Sequence, residues 1–344
     1  MWLINVDTLE LEFHYQEGIK YAILSHVWGA EEVSFQEWKA LCCNDIDVSA
    51  VLQKSGYHKI LECCDQAKRD RFQFAWVDTC CIDKSSSAEL SEAINSMFRW
   101  YGDSKACYVY LADVPPGTAI SDPAFRASRW FTRGWTLQEL LAPNNLGFFD
   151  ADWNYLSDKS GNLHLLANIT SIPPNCLNGN AGHTSVADRL SWASSRETTR
   201  PEDMAYCLLG ILDVNMPLLY GEGGTKAFFR LQEEIIKTTD DETILSWGYK
   251  SAVGYAMSQV LASSPKAFAR TEGTSIDIIR FAASAPFQMT NQGLQITLDV
   301  FEISSNVVTS TDATEGQQCG LSGWRPIFTD SGRQPGRIWQ LREQ

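Results

Sequence analysis

Four short apolar runs divide the first half of the chain, and segments of helical periodicity separate them. The runs lie at residues 20–25, 72–77, 106–111 and 146–149. Between them, apolar residues recur at helical spacing in the segments 31–40, 56–70, 85–101 and 135–141. Strands that alternate with helices in this way predict a mostly parallel sheet with helices on both faces. We therefore expect residues 1–150 to form an α/β domain.

The composition is that of a folded protein that does not bind nucleic acid. Apolar residues make up 44% of the 344 positions and include 12 tryptophans, enough for a packed core. The net charge is −14 and no run of five or more basic residues occurs, which argues against binding a phosphate backbone as the main task. The N-terminus lacks the basic region of a signal peptide, and no stretch approaches the roughly 18 apolar residues of a membrane span. We therefore expect a cytoplasmic protein with no membrane span.

Cysteine spacing gives no sign of a metal site. Six of the ten cysteines form adjacent pairs, among them Cys80-Cys81 between Asp78 and Asp83, and no C-x-x-C occurs. Two carboxylates beside two thiols can suit a metal or another polar ligand, but this is not a standard spacing of metal ligands. We expect buried, reduced thiols and no bound metal.

Polar and aromatic residues follow two of the predicted strands. Ser25 ends the first strand and is followed by His26, Trp28 and Gly29, whereas Asp78 follows the second strand. Open α/β sheets bind ligands outside the carboxyl ends of their strands. These five residues are therefore candidates for ligand contact. The alternative is that the first loop packs around its own tryptophan.

The stretch from 128 to 143, S-R-W-F-T-R-G-W-T-L-Q-E-L-L-A-P, concentrates charge and aromatic rings around a short helix. Leucines form one arc of this helix, and Trp135 and Glu139 share another face, with Arg133 just before it. A carboxylate beside an indole and an arginine suits a catalytic acid or an anion site. The same pattern fits a buried amphipathic helix with an ion pair. The residues alone leave both interpretations open.

The pattern changes beyond residue 150. Residues 151–240 are predicted to be helical, with helices near 163–169, from Thr199 to Leu212 and over 226–237. The second of these is signalled by the capping box Thr199-x-x-Glu202. Residues 241–344 are predicted to form a small β-rich extension, because short apolar pieces occur at 244–247, 276–281 and 294–300. The segment G-E-G-G-T-K at 221–226 resembles a phosphate loop only weakly, since it lacks Walker spacing.

Three motifs, taken in order, resemble the HET (heterokaryon incompatibility) domain of filamentous fungi. They are Y-A-I-L-S-H-V-W-G, F-A-W-V-D-T-C-C-I-D and the stretch from 128 to 143. Residues 189–223, from R-L-S-W to L-L-Y-G-E-G, resemble the continuation of this region in vegetative-incompatibility proteins. The resemblance covers about residues 1–240. It implies a role in non-self recognition and programmed cell death when incompatible hyphae fuse.

HET domains are similar to TIR (Toll/interleukin-1 receptor) domains, so the resemblance implies a TIR/flavodoxin-like, doubly wound sheet. The W-T-L-Q-E-L of residues 135–140 resembles the W-C-L-x-E-L of plant TIR domains, whose glutamate is catalytic in NAD cleavage. On this motif Glu139 is the catalytic candidate, and Trp135 matches the tryptophan. Ser25 matches the serine of the first-strand motif. The motif's cysteine is replaced by Thr136, and no arginine follows Ser25 closely.

The resemblance implies that NAD is a substrate and that no prosthetic group is bound. Cleavage of the nicotinamide–ribose bond develops positive charge on the ribose, which a single carboxylate such as Glu139 can stabilise. Trp28 or Trp135 can stack on the nicotinamide. Arg133, or the loop amides near Gly29, can hold the diphosphate.

The sequence is compatible with two functions. The first is an NAD nucleosidase that kills the cell by depleting NAD or releasing a signalling product. The second is a non-enzymatic death-signalling module that self-associates and answers to a separate sensor protein. Glu139 favours the enzyme, whereas Thr136 and the missing arginine favour the module. In either case Arg129, Trp130 and Phe131 are predicted to have a structural role.

Overall fold

The computed structural model describes residues 1–15, 18–43, 48–248, 260–269, 288–290, 293–298 and 337–340. Its main sheet has seven strands: β1 (Trp2–Asn5), β2 (Leu11–Phe13), β3 (Tyr21–His26), β4 (Phe74–Trp76), β5 (Ala106–Tyr110), β6 (Leu146–Phe149) and β7 (Tyr155–Asp158). Their order across the sheet is β2-β1-β4-β3-β5-β6-β7. The four strands predicted from the sequence are β3, β4, β5 and β6.

The four central strands run parallel. β3 pairs with both β4 and β5, and β5 pairs with β6. Across the sheet the four parallel strands lie in the order β4-β3-β5-β6. This is the flavodoxin-like order, in which the strand order reverses at a switch point between β3 and β5. The antiparallel strands β1, β2 and β7 extend the two edges. The predicted α/β fold with a mostly parallel sheet is confirmed.

The eleven α-helices described flank this sheet or follow it in the chain. They are α1 (Phe35–Cys43), α2 (Ser49–Leu52), α3 (Ser55–Arg69), α4 (Ser87–Asp103), α5 (Pro123–Arg126), α6 (Thr136–Leu141), α7 (Leu163–Thr170), α8 (Val186–Ser191), α9 (Asp203–Tyr206), α10 (Leu209–Leu212) and α11 (Gly224–Thr238). The predicted helices over 56–70, 163–169 and 226–237 are confirmed as α3, α7 and α11. Ser86 caps the N-terminus of α4, because its Oγ accepts a hydrogen bond from the Glu89 amide.

Helices cover both faces of the sheet. On one face, Trp76 of β4 lies edge-on to Tyr101 of α4 at 5.9 Å between ring centres. Ile23, the partner of Trp76 in β3, shares this face, and so does Ser25 two residues later. On the opposite face, Tyr108 of β5 donates a hydrogen bond at 2.6 Å to Asp70, which follows α3. The strands are therefore buried between two helical layers, which accounts for their nearly continuous apolar sequences.

Three strands of the main sheet are not predicted from the sequence. β1, β2 and β7 are short and antiparallel; β2 and β7 are partly exposed throughout, and β1 is buried only at its two central residues. The segment containing β7 is rich in polar residues, and its apolar alternation is weak. β7 extends the sheet past residue 150 to Asp158.

The predicted helix from Thr199 to Leu212 is wrong in extent. The structure has two short helices, α9 and α10, and the first begins at Asp203. The capping box does not form, because Glu202 accepts hydrogen bonds from the distant amides of Gly221 and Gly223. Thr199 instead accepts one from Arg133. Tertiary hydrogen bonds thus replace the local cap.

The C-terminal extension contains a second, antiparallel sheet of β8 (Gln288–Thr290), β9 (Gly293–Leu298) and β10 (Arg337–Gln340). The predicted strand at 294–300 is confirmed as far as Leu298. The predicted strand at 244–247 is wrong, because a 3-10 turn, Glu242–Leu245, is capped there by Asp241. The piece at 276–281 lies outside the described residues. No helix in the described ranges is both long enough and apolar enough to cross a bilayer.

A substitution at Gly210 tests how tightly α10, in the helical region after residue 150, packs against α4 of the α/β domain. A Cβ at this position would lie 2.1 Å from Cβ of Phe98 on α4, so Gly210→Ala forces α10 and α4 apart. We expect a loss of about 2–3 kcal/mol in the free energy of unfolding, measured by urea titration. Gly182→Ala is the matched control, because nothing lies within 4 Å of its new Cβ. Equal losses in the two variants would contradict this packing.

Candidate functional site

A serine, a carboxyl and an indole meet at the carboxyl end of β3. Ser25 Oγ donates a hydrogen bond to Oε2 of Glu139 at 2.5 Å. The same hydroxyl oxygen accepts one from Nε1 of Trp130 at 2.8 Å. All three side chains are buried. This Ser25–Trp130–Glu139 cluster lies beside the β3/β5 switch point, where doubly wound sheets bind their ligands.

The turn before α6 places Glu139 in this cluster. Thr136 Oγ1 donates to the carbonyls of Trp130 and Arg133, which closes the turn. Arg196 is 2% exposed, and its Nη1 donates to the Arg133 carbonyl at 2.8 Å and to Thr136 at 3.0 Å. Gly134 allows the segment containing Thr198 to approach the turn closely. A Cβ at residue 134 would lie 2.5 Å from the Thr198 side chain. Residues from the helical continuation therefore hold α6 against the sheet.

Burial dominates the electrostatics of Glu139. The residue is 6% exposed, and burial raises the pKa of its carboxyl to about 8. The hydrogen bond from Ser25 opposes this rise in pKa, and the negative charge of Asp78 adds to it. At neutral pH the carboxyl is therefore largely protonated. A cationic ligand close to it would favour the ionised form.

A second group of charged residues surrounds the loop after β3. His26 Nε2 lies 3.8 Å from both Glu32 and Asp78. Glu32 accepts from Lys59 Nζ at 2.6 and 2.7 Å. Trp28 is 43% exposed, and its Nε1 donates to Asp78 at 2.8 Å. The predicted ligand residues His26, Trp28 and Asp78 are thus neighbours in the fold.

Two polar atoms of this group are buried without a hydrogen-bond partner among the described residues. They are Nε2 of His26 and Oδ1 of Asp78. Burial, together with the charges of Lys59 and Lys84, holds the pKa of His26 well below its usual range, so the imidazole is neutral. Burial also raises the pKa of Asp78. A neutral imidazole facing a carboxyl with unmet hydrogen bonds can receive a polar group of a ligand.

The remaining predicted site residues have partners within the protein. The Gly29 amide donates to Glu32 at 2.6 Å. Arg133 Nη1 donates to Thr199 at 2.7 Å, and its charge is close enough to lower the pKa of Glu139. Trp135 is half-buried, and its indole donates a hydrogen bond to Asp203. Burial raises the pKa of Asp203, and the hydrogen bond from the indole opposes that rise. The ligand-binding roles of these residues stay predictions.

The sequence interpretation missed several residues of the site. The contact of the Trp130 indole with Ser25 is not indicated by any motif, although it agrees with the predicted structural role of Trp130. Lys84 Nζ lies 3.9 Å from the ring centre of Trp28, and no motif pointed to it. Arg196 could have been suspected only from its position within the R-L-S-W-A-S-S-R segment. Long-range packing brings these residues together, and local periodicity carries no information about it.

The phosphate-loop interpretation and a metal site both lack support from the geometry. The amides of Gly221 and Gly223 donate to the carboxylate of Glu202 at 3.0 Å, so an anion already occupies this turn. Within the described ranges, no group of three or more histidine, cysteine, aspartate or glutamate side chains could hold a metal ion.

The buried carboxyl of Glu139 makes stability depend on pH. Its pKa in the folded protein is about 8, above the ordinary value of 4.5, so the folded state keeps a proton that the unfolded chain releases between these values. The free energy of unfolding therefore falls as pH rises through this window. Glu139→Gln removes the titration. We expect the variant to gain roughly 4 kcal/mol relative to wild type between about pH 5 and pH 8.5, measured by urea titration.

Glu62→Gln is the control for this experiment, because Glu62 is exposed on α3. It should leave the pH dependence of wild type unchanged. A Glu139→Gln profile parallel to that of wild type would show that the carboxyl is already ionised at neutral pH.

Comparisons with known proteins agree with the sequence motifs. Residues 21–122 match the family model described as Heterokaryon incompatibility protein (HET). This range includes Ser25 and Asp78 and ends before Glu139. Over 226 residues the chain is 52% identical to Vegetative incompatibility protein HET-E-1 of Podospora anserina. That alignment covers 63% of this chain and 16% of the relative, so the chain spans only a small part of that protein. No solved structure matches the chain. Residues 21–122 of the chain are therefore similar to the heterokaryon incompatibility (HET) domain.

Proposed function

We propose that this chain is an effector of heterokaryon incompatibility that triggers programmed cell death by hydrolysing NAD at the nicotinamide–ribose bond. The similarity to a vegetative incompatibility protein supports the broader role. The Ser25–Trp130–Glu139 cluster, a buried carboxyl at the switch point of a doubly wound sheet, is the observation that carries the chemistry.

The proposed reaction needs one carboxylate and a water molecule. The bond between C1′ of the ribose and the nicotinamide nitrogen breaks, and its electron pair leaves with the neutral nicotinamide. Positive charge develops on the ribose, and the ionised carboxylate of Glu139 stabilises it. Water then adds to C1′ and loses a proton. The cationic nicotinamide ring of NAD favours ionisation of Glu139 once the substrate is bound, because it offsets part of the effect of burial.

The group around Trp28 supplies the other contacts in this proposal. The nicotinamide stacks on Trp28, either on the face that Lys84 leaves open or in place of Lys84. Lys84 then provides a cation for the diphosphate. It suits this role better than the Gly29 amide, which already donates to Glu32. His26 and Asp78 offer the unmet hydrogen bonds described above.

The burial of Glu139 also supports a second candidate function. At 6% exposure, and with Ser25 as its partner, the carboxyl fits a structural polar cluster. In that case the chain acts as a non-enzymatic death-signalling module, which self-associates and answers to a sensor protein. The two candidates differ in whether NAD is consumed.

Nicotinamide release from NAD by the purified chain at high concentration tests the enzyme. We expect turnover by wild type and a loss of at least about 100-fold in Glu139→Gln, because the carboxylate stabilises the transition state. Glu62→Gln should retain full activity. In cells, the wild-type chain should kill and Glu139→Gln should not. Death caused by both proteins, without NAD loss, would favour the signalling module.

The pH profile of the reaction tests the role of Ser25. If the ionised carboxylate is required, kcat/KM should rise with pH through about 8, the pKa of Glu139. The hydrogen bond from Ser25 lowers that pKa, so Ser25→Ala should move the rising limb to higher pH. A loss of activity with an unmoved limb would mean that Ser25 does not act on the carboxyl.

A further inference from the structure

A cleft of about 590 Å³ lies on the face of the sheet opposite Glu139. Its floor is formed by β5 and β6, where Tyr108 pairs with Gly147. Ser25 pairs with Val109, the neighbour of Tyr108, and side chains alternate between the faces along a strand. Ser25 and Tyr108 therefore point in opposite directions. This cleft is separate from the Ser25–Trp130–Glu139 cluster.

The topology explains why the sheet is open here. α3 lies over the neighbouring strands β3 and β4, and its last turn forms one wall of the cleft with Gln66 and Arg69. After β6 the chain turns back as the antiparallel strand β7 and does not cross over through another helix. β7 and the loop before it form the opposite wall. The cleft is thus built into the fold.

Aromatic rings line the wall next to β7, and one of them is held by a strained backbone. Trp153 has a φ of 60°, an uncommon value for a bulky residue, and its ring stacks on Tyr110 at 5.0 Å with an angle of 18°. The buried carboxylate of Asp150 fixes this loop by accepting from the amides of Asp152 and Asn154. Strain that is compensated in this way at the edge of a cleft points to a functional position.

Tyr155 provides an exposed ring beside the floor. It is 58% exposed, the most exposed aromatic side chain of the cleft. Its ring lies across Gly147, where a Cβ would be only 3.2 Å from Cε2. Glycine at this position therefore lets the ring lie close to the sheet, while more than half of the side chain stays exposed. An exposed aromatic face of this kind can stack on a flat, partly apolar ligand.

The polar lining indicates which ligand fits. Asp70 and Asp158 bring carboxylates, Asn145 and Asn154 bring amides, and Arg69 is the one cation among the lining residues. Phosphate sites need an excess of cations or free backbone amides, and this cleft has two acids to one base. Carboxylates and amides beside aromatic faces suit a ring with several hydroxyl groups and no charge.

We propose that this cleft binds a neutral sugar of one or two rings. The apolar face of the sugar stacks on Tyr155 and the strained Trp153, and its hydroxyls donate to Asp70 and Asp158. The volume lies within the range of about 300–1,000 Å³ that is usual for small-ligand sites. The site is independent of the proposed NAD reaction.

Saturation-transfer NMR on the full chain tests this site, with glucose, N-acetylglucosamine, maltose and chitobiose as sugar probes. Adenosine and inorganic phosphate serve as the nucleoside and anion probes. We expect at least one of the sugars to bind. Tyr155→Ala should weaken its affinity by about tenfold or more. Tyr15→Ala is the matched control, because Tyr15 is 92% exposed and lies outside the cleft, and it should change affinity by less than about twofold.

Binding of that sugar should survive Glu139→Gln, since Glu139 lies on the other face of the sheet. Failure of every sugar in the panel to bind would overturn the proposal. So would binding of adenosine or phosphate alone, or sugar binding that Tyr155→Ala leaves unchanged. Far-ultraviolet circular dichroism of Tyr155→Ala checks that the exposed substitution leaves the fold intact.

Discussion

The guanidinium of Arg196 is 2% exposed, and it donates to the Arg133 carbonyl and the Thr136 hydroxyl at the turn that starts α6. Burial lowers its pKa to about 10, so the cation is retained at neutral pH. Removing this buried cation is strongly destabilising, because the Arg133 carbonyl and the Thr136 hydroxyl would lose their donor. The α6 turn, and with it the position of Glu139, therefore depends on a residue from the helical continuation.

Glu139 makes the site less stable than an uncharged side chain of the same shape would make it. Burial raises the pKa of its carboxyl to about 8, which means that ionisation inside the protein is opposed by several kcal/mol, at most about 5. A glutamine could make similar contacts with Ser25 without that penalty. Buried carboxyls of raised pKa are typical of catalytic positions, where stability is lost in exchange for reactivity. The stability cost of keeping an ionisable carboxyl at position 139 supports the enzymatic proposal more strongly than the motif alone does.

The sequence was sufficient for the parts of the fold that depend on local pattern. The runs that became β3, β4, β5 and β6 are buried on both faces, so their composition identifies them. The edge strands β2 and β7 are short and partly exposed, and β1 next to β2 has only four residues, so their sequence patterns are weak. Within the site, the family motifs identified Ser25 and Glu139 as separate candidates, and the structure shows that they are in contact. Trp130 and Arg196 could not be foreseen, because each acts through a partner distant in sequence: Ser25, 105 residues away, and Thr136, 60 residues away.

β5 contributes side chains to both faces of the sheet, and different side chains border the Ser25–Trp130–Glu139 cluster and the cleft. Val109 pairs with Ser25 on the face of Glu139, and Tyr108 forms part of the cleft on the other face. Because side chains alternate along a strand, adjacent residues of β5 border environments that share no side chain. One face offers buried acids suited to stabilising developing positive charge, and the other offers open aromatic and hydroxyl-accepting groups. β5 thus borders the Ser25–Trp130–Glu139 cluster on one face of the sheet and the open cleft on the other.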